Sequence, residues 1–310
     1  MNVSRILLLL LLLPLVLVVS PCSAENEAPL VVCTTSVLGS IVEDLAGDTV
    51  EVVVIASPSI CPAHYDIRPS DVYAVGAASL ILYHGFEPWL NDTIEASGST
   101  APQVQVSGPW NTPDGARQYY QSVADALQTH LGIDVGDRLT HCLAAINATE
   151  AELQSEAQQR AVSEWRVICM QWQSGFVSWL GFNITTTYPP PERLSASDIA
   201  DLIEQSREAG VRLVIDNLQS GTEVGAQIAS EIGAVHVVLS NFPNTAPGLN
   251  NLTQLLRYNA EQLFAAMDSY EYLSAAQQHQ REAETWRWIA VALLIVAVAE
   301  ALALIVRWRR

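Results

Sequence analysis

Val50-Glu51-Val52-Val53-Val54-Ile55-Ala56-Ser57-Pro58-Ser59-Ile60-Cys61-Pro62-Ala63-His64-Tyr65-Asp66-Ile67-Arg68-Pro69-Ser70-Asp71 is the stretch on which the reading of this 310-residue chain turns. Val50 to Ala56 is apolar and β-branched apart from Glu51, the pattern of a buried strand. At its other end a helix is expected over Val72 to Ala78, with Ser70 or Asp71 placed to cap it. Pro62 and Pro69 stiffen the loop between them, since each ring fixes φ and restrains the residue before it. The loop brings a thiol, an imidazole and a carboxylate together at Cys61, His64 and Asp66. A stiff loop at the carboxyl end of a strand is where open α/β sheets place their ligands.

The same alternation extends outward. Leu30 to Thr34, Ser79 to Tyr83 and Val104 to Ser107 read as strands, and Ile41, Val42 and Leu45 recur at helical spacing up to Gly47. Residues 114 to 163 carry no strand signal: one helix runs to Gln128, and a second, from Asp137 to Ala161, is roughly 35 Å long, the length of a strut between lobes. Strands resume at Arg166 to Met170, Phe182 to Thr187, Arg212 to Asp216 and Ala234 to Leu239. Helices intervene at Ser174 to Leu180, Ser195 to Ala209 (with Ser195 and Asp198 fitting a capping box) and Thr222 to Ile232. Leu252 to Tyr270 is a last amphipathic helix. The fold expected is α/β: two doubly wound lobes, 25–136 and 164–272, joined by one long helix, 137–163, with a cleft between facing strand ends.

The ends differ in kind. Arg5, the apolar run Ile6 to Val19 and the small residues up to Ala24 have the layout of a signal peptide; Cys22 then lies before the cut, or is a lipid-bearing anchor. Trp288 to Val306 is long enough to span a membrane below a polar neck at 273–287, with Trp286, Trp288 and Trp308 at interfacial positions. Arg307, Arg309 and Arg310 place the C-terminus in the cytoplasm and the body outside the cell. Glu300 inside the span either meets a membrane partner or reaches the inner interface. A net charge of −18 argues against nucleic acid as a partner and suits a cation or a salty medium. The five cysteines allow one bridge in an exported body, not a disulfide-stapled domain. Glycine-rich phosphate loops, Gly-x-Ser-x-Gly and His-Glu-x-x-His are all absent, so no enzyme is expected.

Three N-terminal segments carry a resemblance: Val31-Val32-Cys33-Thr34-Thr35-Ser36-Val37-Leu38, the loop Pro62 to Asp71, and Leu80-Ile81-Leu82-Tyr83-His84-Gly85-Phe86-Glu87-Pro88-Trp89-Leu90. The long helix, Val214-Ile215-Asp216-Asn217 and Leu255-Leu256-Arg257-Tyr258-Asn259-Ala260 continue it. In order and distance these resemble the solute-binding proteins of zinc and manganese ABC transporters, over residues 28 to 267. The resemblance implies a rigid linking helix, a divalent metal (zinc or manganese) held between the lobes as transported ligand, and an ABC permease in the membrane as partner; a monomer is expected. The family's usual ligand positions fall on Ala63, Gly108, Gln171 and Ser240, with His64 one residue past the first.

Strand ends offer substitutes. His84 follows the third strand, Asp216 ends a strand of the second lobe, and Cys61 lies three residues before His64. A Cys61, His64, His84 and Asp216 set suits zinc better than manganese, with Glu87, Gln171, Ser240 and Trp110 lining the cleft. Each has a plainer reading: His64 paired with Asp66, His84 capping its strand, Asp216 holding the Asn217 turn, Cys61 a small buried side chain or half of a disulfide. The expected function is a membrane-anchored receptor that captures a divalent metal, zinc before manganese, and passes it to an importer. The same frame could instead bind a metal chelate or organic solute, or serve as a surface adhesion or sensing protein.

Overall fold

The computed structural model describes residues 28–308. The expected signal peptide with Cys22, and the terminal arginines 309 and 310, lie outside the described residues.

The first lobe contains β1 (Leu30–Cys33), α1 (Ser36–Ala46), β2 (Glu51–Val54), α2 (Pro69–Ala77), β3 (Leu80–Tyr83), α3 (Leu90–Ser97), β4 (Gln103–Gln105) and α4 (Pro113–Leu131). Next comes α5 (Gly136–Gln159). The second lobe contains β5 (Arg166–Met170), α6 (Ser174–Leu180), β6 (Asn183–Tyr188), α7 (Ala196–Ala209), β7 (Leu213–Asn217), α8 (Glu223–Ile232) and β8 (Val235–Leu239), followed by α9 (Leu252–Trp308). The sheets are ordered β2-β1-β3-β4 and β6-β5-β7-β8, and every pairing is parallel. One topology is thus built twice, and each sheet is covered on both faces.

Alternation along the strands decides which face each side chain joins. In β1, Val31 and Cys33 enter the core against α1 and α4, while Val32 enters the core with Ala74, Val75, Trp89 and Leu90. In β7, Leu213 and Ile215 face α6 and α9, while Val214 faces α7 and α8. Burial of both faces explains why these strands read as apolar runs.

Helix α5 gives Ile146 to the core of the first lobe and Leu153 and Ala157 to that of the second. A second helix shares this role: Leu252 and Leu255 of α9 pack in the first core, Leu256 to Met267 in the second. The lobes are joined by α5 as expected, and α9 packs across the same junction. Beyond this junction α9 continues unbroken through the polar neck into the apolar segment; it is long and apolar enough to cross a membrane, and that apolar window is unburied.

Helix α2 starts at Pro69, earlier than the expected Val72; Pro69 occupies its first turn, where a missing N–H costs nothing, and of the two expected caps it is Asp71 that closes a capping box. Asp71, two positions on, accepts the Arg68 N–H at 2.8 Å and the Tyr65 hydroxyl at 2.9 Å. No disulfide forms among the described residues: Cys33, Cys61, Cys142 and Cys169 are all free. The Ser195–Asp198 capping box is present, with Asp198 accepting from Ser195 N–H at 2.8 Å.

Candidate functional site

The carboxyl ends of the two sheets face one another across a cavity of about 650 Å³. From the first lobe it receives the loop after β2 (Cys61, Pro62, Ala63), the end of β3 (His84, Phe86), the turn after β4 (Ser107 to Asn111) and Tyr119 of α4. From the second it receives Gln171, Trp172, Asn217, Gln219, Asn241 and Phe242. Among the described residues, no Asp, Glu, Lys or Arg lines it.

Hydrogen bonds tie the floor of the cavity across the lobes. Trp110 Nε1 donates to the Asn241 carbonyl at 2.7 Å, and Asn111 Nδ2 to the Trp172 carbonyl at 3.0 Å. Gln219 Nε2 donates to the Pro58 carbonyl at 2.9 Å, while its Oε1 accepts from Asn217 Nδ2 and Asn241 N. Gln173, fully buried behind Asn241, donates to Asn241 Oδ1 at 3.1 Å but leaves its own Oε1 without a partner.

His84 is 3% exposed, so its ring is fixed by neighbours. Tyr119 Oη donates to the Gly108 carbonyl (3.1 Å), so it accepts from His84 Nδ1 (3.0 Å), leaving Nε2 to accept the Thr35 hydroxyl (2.7 Å). Both ring nitrogens are taken. Phe86 stacks on the ring at 5.0 Å, and Trp110 lies at 4.7 Å. Burial lowers the imidazole pKa to about 4, against a smaller opposing pull from Glu87, so His84 is neutral at physiological pH.

Of the eight residues expected at the site, the structure brings Cys61, His84, Gln171 and Trp110 to the cavity wall. The other four lie off it. His64 is exposed, because Tyr65 is the residue that turns inward, packing on Trp89. Asp216 lies on the same face of β7 as Val214, so it points toward α8; it accepts from Tyr188 Oη at 2.6 Å and pairs with His236 Nε2 at 2.7 Å. Ser240 bonds Gln219 and the Phe242 backbone, beside a separate cavity of about 410 Å³ between β8 and α9. Glu87 faces the backbone of its own loop, accepting from the N–H groups of His84, Gly85 and Phe86 and from the Thr34 hydroxyl. The expected metal set is therefore not assembled, and among the described residues no three His, Cys, Asp or Glu side chains converge to hold an ion. Sequence reading missed Asn111, Gln219, Asn241, Phe86 and Phe242; only their positions just past strand ends could have marked them.

Glu87→Ala strands four donors beside the cavity. A loss of about 2 kcal/mol in unfolding free energy is expected, with a lower thermal midpoint. An unchanged midpoint would show that the loop holds its own shape.

Comparison with known proteins follows the same outline. The family described as "ZnuA: Zinc-uptake complex component A periplasmic" matches residues 31–266. A crystal structure of ZnuA shares 21% identity at a TM-score of 0.63, covering 76% of this chain and 99% of that one. The periplasmic zinc binding protein TroA from Treponema pallidum shares 16% at 0.68, covering 77% and 99%. A Mn-bound periplasmic metal binding protein from Candidatus Liberibacter asiaticus shares 16% at 0.65, covering 78% and 99%.

Proposed function

Because the chain belongs to the ZnuA family of solute-binding proteins, we propose that it is the membrane-tethered receptor of an ABC importer for a divalent metal, taking its cargo in the inter-lobe cavity and passing it to the permease. The observation that carries this is the joint geometry: two parallel sheets with their carboxyl ends facing one cavity, and a single helix leading from the second core to a membrane-length apolar segment. Zinc is favoured over manganese, since manganese seeks carboxylate oxygens and no carboxylate lines the cavity, whereas one thiol, Cys61, does. The body lies outside the cell as a monomer and Arg307 on the cytoplasmic side. Binding and release require no bond to be made or broken.

The test is uptake. A host strain lacking the chain should accumulate less radioactive zinc when zinc limits growth, with recovery on re-expression. A deficit in manganese instead would reassign the metal, and unchanged accumulation of both would end the importer reading.

A further inference from the structure

We propose that the cavity takes its metal already coordinated, as a neutral complex with a flat-faced organic ligand, and not as the bare dication. This rests on the receptor reading above and narrows its cargo.

Electrostatics carry the first step. Burying an ion without compensating charge is strongly unfavourable, and buried ions are paired or coordinated. The cavity wall supplies no carboxylate, and the one imidazole on it spends both nitrogens on Thr35 and Tyr119. Cys61 alone cannot complete the roughly four donors that zinc takes. A complex that brings its own donors and has no net charge avoids this cost.

Size carries the second. At about 30 Å³ per water, an ion with a six-water shell fills well under half of a 650 Å³ cavity. Gly108 leaves room as well: a Cβ there would meet nothing within 4 Å. The volume falls within the range of small-molecule pockets, roughly 300–1,000 Å³.

The walls carry the third. Phe86, Trp110 and Phe242 form a run of rings, at 6.2 Å and 5.7 Å between centroids. Phe86 is 43% and Trp172 52% exposed, so each keeps free surface on the cavity. Aromatic surfaces of this kind bind flat apolar faces. Around them the Gln171 amide, Asn111 Oδ1 and Asn241 Nδ2, the amide atoms not already spent on Trp172, Gln173 and each other, offer uncharged donors and acceptors for a polar edge.

Isothermal titration of the full chain in detergent micelles, after stripping with chelator, tests this. The probes are zinc chloride, the neutral 1:2 zinc–histidine complex, the anionic zinc–citrate complex, and histidine alone. The neutral complex should bind at least about a hundredfold more tightly than zinc chloride or zinc–citrate. Trp172→Ala should weaken it about tenfold without moving the thermal midpoint. Tight binding of zinc chloride, or no binding of the neutral complex, would overturn the proposal while leaving zinc uptake intact. Equal binding of histidine alone would overturn it together with the metal reading.

Discussion

Gly115→Ala should lower the unfolding free energy by about 3 kcal/mol or more and abolish solute binding. Gly115 lies in the first turn of α4, beneath the turn that carries Trp110 and Asn111. A Cβ there would sit 1.5 Å from the Pro109 carbonyl oxygen and 2.7 Å from its carbon. Those are backbone atoms, so no rotamer change relieves the overlap. The turn must lift, and with it go two bonds to the second lobe, Trp110 to the Asn241 carbonyl and Asn111 to the Trp172 carbonyl. At about 2–4 °C per kcal/mol for a body of this size, the thermal midpoint should fall by roughly 6–12 °C. Gly175→Ala is the control, since its Cβ would lie 3.5 Å from Asn111 Oδ1, an ordinary contact. Equal midpoints for the two variants would show that the turn yields freely.

Acidification should destabilise the first lobe through His84 by about 3 kcal/mol. Burial lowers its folded-state pKa from 6.5 to about 4. Between those values the unfolded chain binds the proton and the folded chain resists it, so protons favour unfolding. The stabilising contribution is complete above pH 6.5, is lost as pH falls toward 4, and declines no further below. Unfolding free energies of the native chain and His84→Gln, measured across that range, should converge by this amount. Parallel curves would mean that His84 charges freely in the folded lobe.

The fold was legible because its rules are local. Leu30 to Cys33 and Leu213 to Ile215 are buried on both faces and so read as apolar runs. Ser195 and Asp198 announce a helix start by themselves. The site was half legible for a related reason: parallel strands deliver their carboxyl ends to one side, so residues just past them, such as His84 and Gln171, meet in space. What the sequence withheld is which way each side chain turns. Asp216 and Asn217 are neighbours, yet strand alternation sends the first toward α8 and leaves the second on the cavity. The partners that occupy His84 come from Thr35 and Tyr119, 49 and 35 positions away, and no periodicity reports such a meeting. Amides such as Gln219 and Asn241 sit in loops, where composition alone does not separate a hydrogen-bonding hub from a solvated turn.

Helix α9 leaves the second core at Met267 and reaches Trp288 without interruption, a rise of about 30 Å. In the proposed membrane tether, a helical shaft of that length would hold the body at a set height above the bilayer. In that arrangement the height of the body is set before any encounter, while it remains free to turn about the shaft. Association between freely diffusing proteins costs an estimated 4–15 kcal/mol in lost translation and rotation. In the proposed tether, a body standing on such a shaft has already given up part of that freedom, so a small, weakly adhesive footprint would suffice to seat it on a permease.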